Sequence, residues 1–260
     1  MNSLSRLYKR IFGKLSKYYH VEGNITIITA ASEAFYSPLR NIMLSSLLIH
    51  EPYADVIIWD LGLNDAQRED LYKLFKEHKG SMQLLTYPAE DLSTHYATLT
   101  TYSFKCYCIH HAIPLIKTRY ALWLDTGSMI VDYLTAERNL IRIYGCYVSL
   151  SGHSVAILTH WTVQHKFQTE MNKCGNRSML YAGLIGWDMK NKKVQSLLGD
   201  WYQLSQDEEN IAPKGSSNEN HRFDQSLLSL LYYRMYEDVP YLCKYRYNIR
   251  IKQKEKYENT

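Results

Sequence analysis

The chain has 260 residues, 46% of them hydrophobic, and a formal net charge of +4 at pH 7; that is enough to bury the core of one large α/β domain. Five cysteines, an odd number with no C-x-x-C pair, argue against a disulfide framework or a zinc ribbon and fit a reducing, cytosolic setting. The charge is polarised: residues 1–20 carry +5 and residues 244–260 carry +4, leaving −5 on residues 21–243, the opposite of the basic body that a nucleic-acid binder needs.

In residues 1–20, Leu4, Leu7, Ile11 and Leu15 recur at three- and four-residue spacing with bases between them. The pattern predicts an amphipathic helix that either packs on the body or lies on an anionic membrane surface. No run approaches the ~18 apolar residues of a membrane span, and the start lacks a signal-peptide core. The triplets Asn24-Ile25-Thr26 and Asn176-Arg177-Ser178 match the glycosylation sequon, a pattern short enough to arise by chance.

The β-branched run NITIITAAS (24–32) predicts a buried strand. SPLRNIMLSSLLIH (37–50) predicts a helix with Ser37 as cap and Pro38 in its first position. ADVIIWDLGL (54–63) is a second strand, and NDAQREDLYKLFKEHKG (64–80) a helix with an Asn64 or Asp65 cap, early acids, late lysines and a stop at Gly80. SMQLLTY (81–87) is a third strand, TYSFKCYCIHHAIPLI (101–116) a helix up to Pro114, and YALWLD (120–125) a fourth strand. This alternation implies a mainly parallel, doubly wound sheet, whose ligands bind at the carboxyl ends of the strands. The second half reads as strands at 143–152, 155–161 and 178–189, a helix at 194–205, a polar mobile loop at 206–221 and a helix at 222–236.

Asp125-Thr126-Gly127-Ser128 follows the fourth strand directly. Two chemistries fit an apolar strand ending in such a turn: an aspartic protease, where two Asp carboxylates share a proton, and a nucleotide-sugar glycosyltransferase, where an Asp-x-Asp turn meets a metal-diphosphate. An apolar-apolar-Gly tripeptide at 184–186 is the one feature that favours the protease. Against it stand a single D-T-G and three preceding βα units, whereas that fold is all-β.

Six segments, in order, resemble the GT-A fold of nucleotide-sugar-dependent glycosyltransferases: ITAAS (28–32), IIWDLGLNDAQREDL (57–71), YSFKCYCIHHAI (102–113), ALWLDTG (121–127), YAGLIGWD (181–188) and RFDQSLLSLLYY (222–233). The look is of glycogenin-like and lipopolysaccharide galactosyltransferase-like enzymes, here with an Asp-x-Gly variant of Asp-x-Asp. The resemblance implies an α/β, Rossmann-like, mainly parallel mixed sheet flanked by helices, as one domain over residues 21–243 between the basic helix of 1–20 and a basic tail of 244–260. It also implies transfer of a hexosyl or pentosyl group from a nucleoside-diphosphate sugar to a glycan or glycolipid hydroxyl, as in polysaccharide or lipopolysaccharide biosynthesis, at the cytosolic face of a membrane. A non-catalytic sugar-nucleotide or glycan binder on the same fold is the alternative.

Carried onto this sequence, the resemblance makes Asp224 and Asp125 the catalytic candidates. Thr29, Ala30, Ala31, Asp60, Lys105, Asp125, Gly127, Gly183 and Gln225 become the nucleotide-sugar contacts, and Asp125 a ligand for Mn2+ or Mg2+. Asp224 would act as general base on the acceptor hydroxyl if the reaction inverts, or as stabiliser or nucleophile if it retains. Gly127 stands where relatives carry the second Asp, which puts the metal in question; Lys105, Arg40, a later acid or His221 are the other sources of compensating charge. Tyr181 stands where relatives have Asn, and segment 206–221 fits a lid that excludes water. Each residue also has a plainer reading: turn carboxylates for Asp60 and Asp125, a solvated lysine for Lys105, a helix-dipole acid for Asp224, strand packing for Gly183, and core or surface positions for His110 and His111.

Overall fold

In the computed structural model, which describes residues 25–252, the first β-branched run forms β1 (Ile25–Ala31). The later strands are β2 (Asp55–Asp60), β3 (Met82–Thr86), β4 (Tyr120–Leu124), β5 (Ser128–Ile130), β6 (Cys146–Ser154), β7 (Ser178–Asp188) and β8 (Ile249–Ile251). The six-stranded sheet has the order β3-β2-β1-β4-β7-β6. β1 runs parallel to β2 and β4, and β2 to β3, while β7 is antiparallel to both β4 and β6. The result is the expected α/β, mainly parallel mixed sheet. Because the chain leaves β1 for one side and returns as β4 on the other, the switch point lies where Ala31 and Asp125 end their strands.

The longer helices around this sheet include α1 (Asp65–Glu77), α2 (Ser103–Ala112), α3 (Thr135–Tyr144), α4 (Lys192–Ser205) and α5 (Asp224–Met235). α4 packs against both α2 and α5, and α5 lies on β7. Trp123, Trp187 and Tyr147 from the sheet and Trp201 and Tyr232 from α4 and α5 are fully buried between these layers. At ~25 cal/mol per Å² of apolar surface removed from water, such large side chains dominate the folding energy of this half.

The start of α1 follows its sequence closely. Asn64 accepts from the Gln67 backbone N–H and the Gln67 side chain accepts from Asn64 N–H, a reciprocal capping box. The other end does not: α1 stops at Glu77 and His78 is its extended cap, so Gly80 is not the stop residue. Gly80 instead lies where a Cβ would overlap the Ala54 carbonyl, and its hydrogen atom permits that approach.

Four further expectations give way to tertiary packing. The helix expected from Ser37 begins at Tyr36, widens to a π-helix over Leu39–Leu44 and returns to α over Ser45–His50, with no side-chain cap from Ser37. Residues 155–161 are not a strand. Val155 and Ala156 bond to Arg177 and Gly175 carbonyls in turns, and a helix begins at Trp161; buried Val155 and Leu158 anchor these turns without a ladder partner.

Segment 206–221 is not a featureless loop. It holds a helical turn, Glu208–Ile211, with Asp207 as cap. Ile211 and His221 are both fully buried: the His221 Nδ1 accepts from His160 N–H at 3.1 Å and its Nε2 lies 3.1 Å from the Ile211 carbonyl. These bonds fix the C-terminal end of the segment, a Lys166–Asp207 ion pair at 2.7 Å holds its start, and the stretch between Lys214 and Asn220 lies at the surface.

The supposed basic tail is partly structure. β8 pairs antiparallel with β5, and the buried Glu137 of α3 accepts from Asn248 N and Nδ2 at 2.8 and 3.1 Å. Burial pushes the Glu137 carboxyl up to about 7. α3 is tied down a second time by a buried Arg138–Glu51 ion pair, in which Glu51 also accepts from Leu134 N–H at 2.6 Å. The helix expected over residues 1–20 lies outside the described residues.

Candidate functional site

Asp125 leaves β4 at the switch point. Its N–H donates to the Gly183 carbonyl of β7 at 3.0 Å, and its Oδ1 accepts from Trp123 Nε1 at 2.8 Å. Lys105, in the first turn of α2, brings its Nζ to 3.2 Å from Asp125 Oδ1 and 3.1 Å from Asp224 Oδ2 at the start of α5. Three elements distant in sequence thus converge on one ammonium. The contact to Asp224 is an ion pair by distance without hydrogen-bond alignment. Lys105 and Asp224 are almost sealed, whereas the Asp125 side chain is 39% exposed and opens the cluster to solvent.

Burial and charge act against each other here. Burial works to lower the Lys105 ammonium, but Asp125 and then Asp224 outweigh it and hold it above its ordinary value. Burial pushes the Asp224 carboxyl up to about 6, with Lys105 pulling it down and Asp125 adding to the rise. A carboxyl near neutrality beside a fixed cation is suited to accepting a proton from a bound hydroxyl.

Tyr181 and Gly183 form one wall. A Cβ at Gly183 would overlap Asp125 Oδ2 and lie 2.5 Å from Tyr181 Oη, so glycine is what lets the two side chains meet. Burial, with Asp125 adding, pushes the Tyr181 phenol up to about 12, and the Arg246 guanidinium sits 4.5 Å from the ring centroid. The pairing of β6 with β7 jumps from Val148↔Ile185 to Ser149↔Tyr181, so residues 182–184 bulge out of that ladder. Gln225 Oε1 accepts from Ala182 N–H there, at 3.3 Å.

The other candidate residues lie outside this cluster. Asp60 is engaged by its own chain: Oδ1 accepts from Gly62 and Leu63 N–H and Oδ2 from Arg68 Nε, which closes the turn in which Gly62 has φ 110°. Thr29 and Ala31 are buried, and Ala30 alone at the end of β1 is partly accessible. Arg40 pairs with Asp70 at 2.8 Å, and both ring nitrogens of His221 are turned to backbone groups. His110 stacks on Tyr202 of α4, centroids 4.0 Å apart.

Gly127 adjoins the ribbon of β5 and β8: its carbonyl accepts from Lys252 N–H at 3.0 Å, and a Cβ there would lie 3.0 Å from the Lys252 carbonyl. A divalent ion held by protein carboxylates is therefore a poor fit. Gly127 supplies no side-chain oxygen, Asp125 and Asp224 both face an ammonium, and among the described residues no three His, Cys, Asp or Glu side chains gather. The same ammonium rules out the shared-proton dyad of an aspartic protease, and 184–186 is simply the part of β7 paired with β4.

Two residues that the sequence reading missed complete the site. Tyr102 (φ 57°, ψ 7°) precedes α2 and Phe223 (φ 46°, ψ −117°) precedes α5. They are the positive-φ residues other than glycine among those described, and their rings pack together, centroids 5.9 Å apart. Strained backbone at the caps of the helices that carry Lys105 and Asp224 sets the direction in which both helices start; strain of about 1–3 kcal/mol per residue persists where surrounding packing enforces it. Nothing in the residue types signals it.

No family model matches the chain, and no curated protein matches it in sequence. Solved structures share its fold. WbbM, a bifunctional glycosyltransferase, superposes with a TM-score of 0.56 at 9% identity, over 82% of this chain and 38% of its own. Core-mannan synthase A from Aspergillus fumigatus, in its Mn/GDP form, gives 0.53 at 10% identity, over 82% and 70%. The Streptococcus pneumoniae glycosyltransferase GlyE matches 83% of this chain at 12% identity with a TM-score of 0.48, and the chain spans 45% of GlyE. At such identities the likeness is one of fold, the GT-A fold.

Proposed function

We propose that this chain is a glycosyltransferase that moves a sugar from a nucleoside-diphosphate donor to a hydroxyl of a glycan or glycolipid. What supports the reading is one observation: at the switch point of a GT-A sheet, Asp125 and Asp224 converge on a single buried ammonium, with an opening to solvent on the Asp125 side. Fold by itself does not select a reaction; a lysine held charged between two acids, one with a raised pKa, is what a leaving diphosphate and an attacking hydroxyl require together.

In the inverting form, Asp224 takes the acceptor's hydroxyl proton as that oxygen bonds to the anomeric carbon. The bond to the diphosphate oxygen breaks, its electron pair stays on the leaving group, and the Lys105 ammonium offsets the new charge. In the retaining form, Asp224 instead stabilises or attacks the anomeric centre. Asp125 holds the ribose or sugar from the solvent side, and Gly183 allows backbone approach. Ala30 and Gln225 border the donor, while Asp60, Thr29 and Ala31 shape the strand ends beneath it. Segment 206–221, anchored at both ends, closes over the site through its surface stretch.

A cytosolic setting and peripheral contact with an anionic membrane through residues 1–20 belong to the same proposal. Among the described residues no helix is long and apolar enough to cross a membrane. A panel of nucleoside-diphosphate sugars, read by thermal shift and by donor hydrolysis, tests the reading. Stabilisation by one donor, with hydrolysis lost in Asp125→Ala and Asp224→Ala, is expected; no shift with any donor would refute it. The second reading, a non-catalytic binder on the same fold, draws on Gly127 in place of the second acid and predicts a thermal shift with no hydrolysis.

A further inference from the structure

We infer that the site works without a divalent metal ion, the Lys105 ammonium standing where such an ion would need to bind and the C-terminal strand closing the place of the second acid. The inference rests on the reading of the site as a nucleoside-diphosphate site.

Mg2+ and Mn2+ want about six oxygen ligands, several of them carboxylate or water. Here Asp125 Oδ1 already accepts from Trp123 Nε1 at 2.8 Å and faces Lys105 Nζ at 3.2 Å. Asp224 Oδ2 faces the same Nζ at 3.1 Å and is almost sealed from water. An ion entering between the two acids would compete with the ammonium for the same lone pairs and repel it at close range in a poorly solvated place.

Gly127 cannot simply be read as a lost Asp, because the chain has built over that position. Its carbonyl bonds Lys252 N–H, β5 pairs with β8 from Ser128↔Ile251 onward, and a Cβ at 127 would lie 3.0 Å from the Lys252 carbonyl. That neighbour is backbone within a two-stranded ribbon, so a side chain at 127 would have to displace paired main chain by a few tenths of an ångström rather than push aside a flexible side chain. The same C-terminal segment delivers Arg246 to the Tyr181 ring beside Asp125, and among the described residues no carboxylate pairs with it. Lys105 therefore takes the place of the ion between the two carboxylates, and Arg246 is the fixed organic cation left to meet a diphosphate.

The test is a titration of the full chain with Mn2+ alone, followed by the electron paramagnetic resonance signal of the free ion, for wild type and Asp125→Asn. Beside it, calorimetric binding of uridine, guanosine and adenosine diphosphates is measured in EDTA and in Mn2+. The expected result is a free-ion signal that the protein does not diminish, the same for both variants, and a diphosphate affinity that differs by less than about twofold between buffers. Stoichiometric Mn2+ binding in the micromolar range that Asp125→Asn abolishes would overturn the inference, as would a diphosphate affinity at least about tenfold tighter in Mn2+. Absence of nucleotide binding in both buffers would sink the transfer reading, while the Mn2+ titration, which needs no nucleotide, still decides between metal and ammonium.

Discussion

Replacing Lys105 with methionine keeps the buried stem and removes the charge. Its ammonium bridges two carboxylates at 3.2 and 3.1 Å, and both Lys105 and Asp224 are almost wholly out of water. Removing one partner of such a buried pair costs about 3–5 kcal/mol, because the charge left behind has no compensation. For a chain of this size each kcal/mol shifts Tm by roughly 2–4 °C, so the variant should melt roughly 6–20 °C lower. The loss should also depend on pH. In the wild type, Asp224 is raised from 3.8 to about 6, so the folded state holds an extra proton between those values. Stability therefore falls as pH rises through that window, by about 3 kcal/mol in all. Lys105 is the group pulling Asp224 down; without it the folded carboxyl rises further and the window extends upward. Thermal unfolding of both proteins at pH 5, 6, 7 and 8 gives the difference directly, with groups common to both cancelling. A deficit larger at pH 8 than at pH 5 is expected. A deficit equal at the two pH values, larger at pH 5, or below about 1 kcal/mol throughout would refute the bridging role.

If ionised Asp224 is the base, donor turnover should rise with pH through about 6, and Asp224→Asn should remove both the activity and that limb in a pH–rate profile. Gly183→Ala should lower turnover about 100-fold by pushing Asp125 and Tyr181 apart, with a stability loss of only about 1–3 kcal/mol; wild-type turnover would contradict the assigned contact. Phe223→Gly should be more stable than Phe223→Ala by about 1–3 kcal/mol in urea unfolding, since both delete the ring and only glycine relieves φ 46°, ψ −117°; equal stabilities would show that the backbone there relaxes freely.

The parts of the molecule legible in the sequence are those whose cause is local. The apolar runs of β1, β2 and β4, β-branched in the first two, are buried on both faces because helices cover both sides of the sheet. The Asn64–Gln67 capping box needs only residues three apart. Asp125 is readable as a candidate site residue because the ends of buried parallel strands at a switch point are where ligands of such sheets bind. The segments around Asp60 and Asp125 look alike in sequence, yet one carboxylate is engaged by Gly62, Leu63 and Arg68 and the other opens to solvent. That distinction depends on neighbours brought in from elsewhere in the chain.

Periodicity and capping act over a few residues, so the order of strands and helices, the parallel sheet it builds and the strand-end edge that holds the candidate site are all written in the chain itself. The content of the site is not. Lys105 meets Asp125 and Asp224 across 119 residues of chain, Tyr102 and Phe223 are held at positive φ by their mutual packing, and β8 folds back over Gly127. Each is a long-range contact whose energy lies in excluding water around particular atoms, and hydrophobic pattern, which records only whether a residue is buried, does not record against what.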